Sequence, residues 1–101
     1  MDYTPLFSEL ESMCINGGAA DIDSVMEILQ SGDLPTTRAV DFHLGQVTNS
    51  AGLDRLEFYL FNGSQIQRNY ATLFFARRND WKLVNEAYSR GLIDYIQAYS
   101  R

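Results

Sequence analysis

The sequence predicts an all-α protein of one domain, an αα-superhelix of about three helical hairpins in 101 residues. Three observations predict it. Every apolar pattern has helical period, and no segment sustains the period-two alternation of a half-buried strand. A four-position apolar stripe recurs at a fixed distance before four glycines. Short turns, with no linker and no low-complexity tract, separate the periodic segments.

The stripe is counted back from Gly17, Gly32, Gly63 and Gly91. Ten residues before each stand Phe7, Ile22, Leu53 and Trp81. Seven before stand Leu10, Val25, Leu56 and Val84; four before, Met13, Ile28, Tyr59 and Ala87; three before, Cys14, Leu29, Leu60 and Tyr88. Spacings of three, three and one place all four positions on one face of a helix. Glycine then fits the residue past the last turn, where a left-handed backbone is tolerated only without a side chain. Gly63 is therefore expected at positive φ between two packed helices. The second halves of the units also compare. Past Gly32 and Gly63, Ala39 matches Tyr70, Val40 matches Ala71 and Phe42 matches Leu73.

In chain order, Thr4-Pro5 opens the first helix as N-cap and first helical residue, and Gly17-Gly18 closes it. Asp21 is expected to cap a second helix from Ile22 to Ser31. Gly17 and Gly32 lie too close for a partner helix between them, so the first helix reads as a terminal cap or half a repeat. Asp33 caps a third helix, about Leu34 to Val47, with Pro35 in its first turn. The run Thr48 to Gly52 is the most polar and turn-rich, and is expected to be a loop. Helices follow at about Leu53–Asn62, Ser64–Arg78, Asp80–Arg90 and Leu92–Ser100, with Ser64 and Asp80 as caps.

The stretch IQRNYATLFFARRND (Ile66 to Asp80), and more faintly LPTTRAVDFHLG (Leu34 to Gly45), resembles the second helix of HEAT-type repeats, in particular the short kind of phycobilisome-lyase-like HEAT proteins. Those helices carry an Arg near the start and a small residue one turn on. Arg68 with Ala71 matches; Arg38 with Asp41 departs. The resemblance covers about half the chain and implies a helical superhelix with a binding role. No residue here matches a catalytic or bilin-binding position, so lyase activity does not come with it.

Length and composition set limits. One hundred and one residues, 46% hydrophobic, supply one modest core. Three αα units are about the minimum for a repeat array. No apolar run approaches the ~18 residues of a membrane span. The acidic start MDYTPLFSELES does not read as a signal peptide. With a lone Cys14 and so no internal disulfide, the expected location is cytoplasmic. Net charge is −5, unevenly placed. Residues 1–50 hold eight acids and one base, and residues 51–101 five acids and seven bases. Such asymmetry serves ordinary solvation, guidance of a partner, or head-to-tail self-contact.

The chemistry-bearing residues argue against catalysis. Cys14 and His43 are the sole cysteine and histidine. On paper they form a nucleophile and base, a remote enzyme reading. Cys14 occupies a stripe position and His43 aligns with Phe74, so both read as packing residues. No second His or Cys supplies metal-ligand spacing, no phosphate loop is present, and no cofactor or metal is expected. The acidic pairs Glu9/Glu11 and Asp21/Asp23 read as helix-start and solvated acids. The basic set Arg68, Arg77, Arg78, Lys82 and Arg90 raises nucleic acid, which a pI of about 4.6 argues against.

Aromatic residues carry the functional expectation. Five residues before the glycines the chain reads Ser12, Glu27, Phe58, Glu86; two before, Ile15, Gln30, Phe61, Ser89. Phe58 and Phe61 thus stand where other copies are mostly polar. The last helix carries Ile93, Tyr95, Ile96 and Tyr99 with no polar helix after it, although a solenoid end needs a polar outer face. One reading is that a central helix is simply buried on more sides. The other is a contact patch for a protein partner or a second copy of the chain, a possible homodimer. The candidate partner-binding residues are Phe58, Phe61, Tyr95 and Tyr99, with Arg68 from the basic set. The function expected is a non-catalytic protein-interaction module, with a homo-oligomeric structural protein as the alternative.

Overall fold

A computed structural model describes residues 3–99, and these are all-α. Seven helices run α1 Thr4–Asn16, α2 Ala19–Leu29, α3 Leu34–Leu44, α4 Ser50–Asn62, α5 Gln65–Arg77, α6 Trp81–Ser89 and α7 Tyr95–Tyr99, with no strand among the described residues. Each matches an expected helix, with ends displaced by a few residues. Ser100, the expected end of the last helix, lies outside the described residues. Contacts gather into two compact units, one up to Arg55 and one from Leu56, the boundary falling inside α4.

In the first unit α1 packs on α2 and α3, and α2 on α3. The core is aliphatic: Leu10, Cys14, Ile22, Val25, Met26, Leu29, Val40, Leu44 and Val47 are buried. The Asp33 carboxylate accepts from the Thr36 N–H at 2.9 Å, as an N-cap should, and this bond holds its pKa below the ordinary carboxylate value. Asp21 is not the cap of α2. The helix begins at Ala19, with Gly18 extended at the cap (φ −77, ψ 171), and the Asp21 carboxylate reaches back to accept from the Gly18 N–H at 3.1 Å. The carboxylate still satisfies an orphan donor, but from inside the first turn.

The expected loop Thr48–Gly52 is also corrected. Asn49 closes a local turn, its side-chain oxygen accepting from the Ala51 N–H at 2.9 Å, and α4 already begins at Ser50. Gly52 is helical and buried, against the backbone of Gly17. A Cβ on Gly52 would lie 1.9 Å from the Gly17 carbonyl oxygen. Gly17 itself holds the left-handed backbone expected of it, at φ 61. The Asn49 amide donates to the Asn16 carbonyl at 3.1 Å beside this contact. Asp23 and Arg55 pair at 2.6 Å, α2 to α4.

In the second unit α5 packs on α6 and α7, and α6 on α7. Its buried residues mix aromatics with alanines: Phe74 and Phe75 with Ala71, Ala76, Ala87 and Ala98, joined by Leu56, Leu60, Val84 and Ile93. Ser64 and Gln67 cap α5 reciprocally, the Ser64 N–H donating to the Gln67 side-chain oxygen at 2.8 Å. Asp94 and Gln97 do the same for α7, at 3.1 and 2.8 Å.

Gly63 departs from expectation. Gly17, Gly32 and Gly91 have positive φ and Gly63 does not. Its requirement is steric, because a Cβ would sit 2.7 Å from the Tyr59 carbonyl oxygen and 2.8 Å from the Gln67 Cβ. The tight turn from α5 to α6 instead uses Asn79 at φ 60, a residue that tolerates the left-handed region.

The stripe is uneven in depth. Leu10, Val25, Leu56 and Val84, seven before each glycine, are all fully buried. Trp81 and Tyr88 in the last copy are 38% and 40% exposed. Phe42, aligned with Leu73, is 72% exposed.

Candidate functional site

Apart from Phe58, the exposed aromatic residues of the second unit lie on α6 and α7. On α6, Val84 and Ala87 turn inward and are buried. At 100° per residue, Trp81, Asn85 and Tyr88 fall within about 60° of one another on a separate face. Tyr95 and Tyr99 are one turn apart on α7. Four rings meet there. Trp81 stacks on Tyr99 with centroids 6.4 Å apart, and Tyr88 meets Tyr99 edge-on at 5.4 Å. Tyr95 lies 5.2 Å from Tyr99 and 6.2 Å from Tyr88. Offset and edge-on arrangements are those that aromatic quadrupoles favour. The Tyr99 hydroxyl donates to the Asn85 side-chain oxygen, tying α7 to α6. Tyr95 and Ile96 stand outermost, 65% and 68% exposed.

The surface is held by ring contacts and the Tyr99–Asn85 hydrogen bond at its base and is apolar at its rim. Tyr99 holds the other rings, and Ala98 behind it is buried. Two-torsion aromatic side chains held by one another lose little entropy when a partner covers them. The chemistry on offer is contact area with phenolic hydroxyls, which suits recognition.

Tyr95 and Tyr99 are brought together, joined by Trp81 and Tyr88. In the sequence those two are stripe positions; the signal is that only the last copy fills both its first and last positions with aromatics. Phe58, on α4, is 43% exposed and meets Tyr59 edge-on at 5.4 Å. Phe61 is half-buried, with the Arg90 guanidinium 4.8 Å above its ring and Arg90 also paired with Glu86. Arg68 is turned onto the chain itself. Its Nε donates to the Leu92 carbonyl at 2.9 Å, one terminal nitrogen to the Gly63 carbonyl at 2.8 Å, and the other to the Gln65 side-chain oxygen at 2.9 Å.

Cys14 is fully buried, and burial, helped by the Asp21 carboxylate, pushes its thiol up to about 11. The His43 Nδ1 is hydrogen-bonded to the Gln46 side-chain oxygen at 2.9 Å. Among the described residues no group of three or more His, Cys, Asp or Glu could hold a metal ion, and no helix is long and apolar enough to cross a membrane. No known protein family, curated protein or solved structure matches the chain.

Proposed function

We propose that this chain is a non-catalytic protein-interaction module, a small adaptor or scaffold of the cytoplasm, built as a short HEAT-like superhelix of about three hairpins. The observation that carries the reading is the ring cluster of Trp81, Tyr88, Tyr95 and Tyr99, with Ile96 at its rim. Contiguous exposed aromatic surface is costly in a free protein and marks interaction sites. Tyr and Trp are the residue types that dominate binding energy at such sites. A Cys14 thiol raised to about 11 gives no support to a nucleophile at neutral pH.

A second reading uses the same surface for self-association, since a self-complementary apolar patch closes most simply as a two-fold dimer. Sedimentation over a wide concentration range, with Tyr95→Ser/Ile96→Ser beside the parent, separates the two. A parent that stays monomeric, and captures a partner the variant loses, supports the adaptor. A parent that dimerises, with a monomeric variant, supports the oligomer. A folded variant identical to the parent in mass and in captured partners sinks both.

A further inference from the structure

A cleft of about 640 Å³ opens between α1 and α2 in the first unit. Small side chains leave it open. Ser12 on α1 and Ser24 on α2 line it, and the Ser24 hydroxyl donates to the Ala20 carbonyl of its own helix at 3.2 Å. Half-buried Met13 and Ile28 supply its apolar lining. Glu9 on α1 and Glu27 on α2 are exposed and supply its charge.

On each helix these residues share a face. Glu9 and Met13 are four apart, and Ser24 and Ile28 are four apart with Glu27 between them. Neither carboxylate has a cationic partner among the described residues. Asp23 on α2, by contrast, is paired with Arg55. Among the described residues no basic side chain lines the cleft.

We propose that this cleft is a second docking site, separate from the aromatic cluster, and that it takes a cationic amphipathic helical segment of another protein. Lys or Arg side chains of that segment meet Glu9 and Glu27, and its apolar residues sit against Met13 and Ile28. Two carboxylates on opposite helices fix register and orientation, and a methionine at the base adapts to varied apolar side chains. The charge of the chain selects the occupant. Residues 1–50 carry eight acids against one base, so a cationic segment is steered in. A nucleic acid is repelled, as is the acidic half of a second copy.

The test uses the full chain and a two-heptad leucine–lysine helical peptide, with a leucine–glutamate peptide as charge-reversed control, at about 0.1 M salt. Glu9→Gln/Glu27→Gln is compared with Glu11→Gln/Glu57→Gln, which removes the same charge outside the cleft. Ser24→Trp fills the space and leaves net charge unchanged. We expect the first pair to weaken binding about tenfold and the second less than about twofold, with Ser24→Trp also weakening it about tenfold. Amide shifts on adding peptide should centre on Ser12, Met13, Ser24 and Ile28. Equal weakening by the two charge pairs would reduce the effect to the general field and overturn the proposal. Shifts centred on α6 and α7, or equal binding of the acidic peptide, would overturn it too. So would self-association of the parent that Ser24→Trp abolishes, since the occupant would then be a second copy.

Discussion

The two units use one helical pattern with different materials. The first has an aliphatic core without a buried aromatic or alanine, and joins α4 to α1 by direct backbone contact at Gly17 and Gly52. The second sets two buried phenylalanines among four buried alanines, and ties its turns together with Arg68. The first leaves an acidic cleft on an exterior that also exposes Ile15, Leu34 and Phe42. Among the described residues the second buries only Val84, Ala87 and Ala98 from α6 and α7, and leaves Trp81, Tyr88 and Tyr95 exposed on them. The repeated stripe thus buries its second position on α1, α2, α4 and α6, at Leu10, Val25, Leu56 and Val84. It does not decide what joins the helices or what the other faces are for.

The largest expected effect tests the backbone contact. Gly52→Ala places a methyl 1.9 Å from a carbonyl oxygen held by the backbone, where no side chain can swing aside. Over-packing of this kind should cost about 3 kcal/mol, read by denaturant unfolding. A parent-like midpoint would remove the close contact from the first unit and with it half the contrast.

Arg68→Met comes next. The Gly63 and Leu92 carbonyls lose their guanidinium donor, while the aliphatic stem is kept. Hydrogen bonds from a charged donor at a half-buried site suggest a loss of about 2 kcal/mol. Arg68→Lys should recover only part of it, because one ammonium cannot reproduce the fork. If lysine restored full stability, Arg68 would be acting as a point charge and not as a clamp.

Much of this fold was legible in advance because it is local. The seven helices follow from apolar period, and Asp33, Ser64 and Asp80 cap as expected because an N-cap needs only its own next few residues. What escaped depends on chain distant in sequence or on packing. Gly52 looked like loop because nothing nearby reveals that Gly17 lies against it. Gly63 fits a dihedral role in the sequence, but its role is clearance. Arg68 reads as one of the basic set because its carbonyl partner at Leu92 belongs to a later turn. Of the candidate site, Tyr95 and Tyr99 stand out in the sequence among the apolar residues of the 92–100 segment. Trp81 and Tyr88 were hidden by fitting the stripe.

The first unit's buried thiol makes a smaller, pH-gated prediction. Cys14 titrates near 11 when folded and near its ordinary value of 9.0 when unfolded. Below pH 9 both states hold the proton and the contribution is fully present. Above pH 9 the unfolded chain releases it first, so stability falls until about pH 11. At pH 10 the loss should be about 1 kcal/mol, seen as a steeper decline in the parent than in Cys14→Ala. Parallel declines would mean that the thiol is accessible in the folded state.

The smallest expected effect on stability falls on the residues that matter most for function. Tyr95 and Ile96 are the most exposed members of the second unit's aromatic surface, and covering them is not needed to complete its core. Tyr99 differs, because it stacks on Trp81 and bonds Asn85. Tyr95→Ser with Ile96→Ser should therefore change unfolding free energy by less than about 0.5 kcal/mol, as surface substitutions do. Tyr99→Ser should cost more, through lost ring contacts and a freed α7. Binding should rank the other way: truncating an exposed aromatic anchor at an interface costs about 2 kcal/mol or more of affinity. A double variant that unfolds readily would show that Tyr95 and Ile96 serve the core. One that stays stable while partner capture or self-association disappears would locate the function of the second unit in the side chains its own folding does not use.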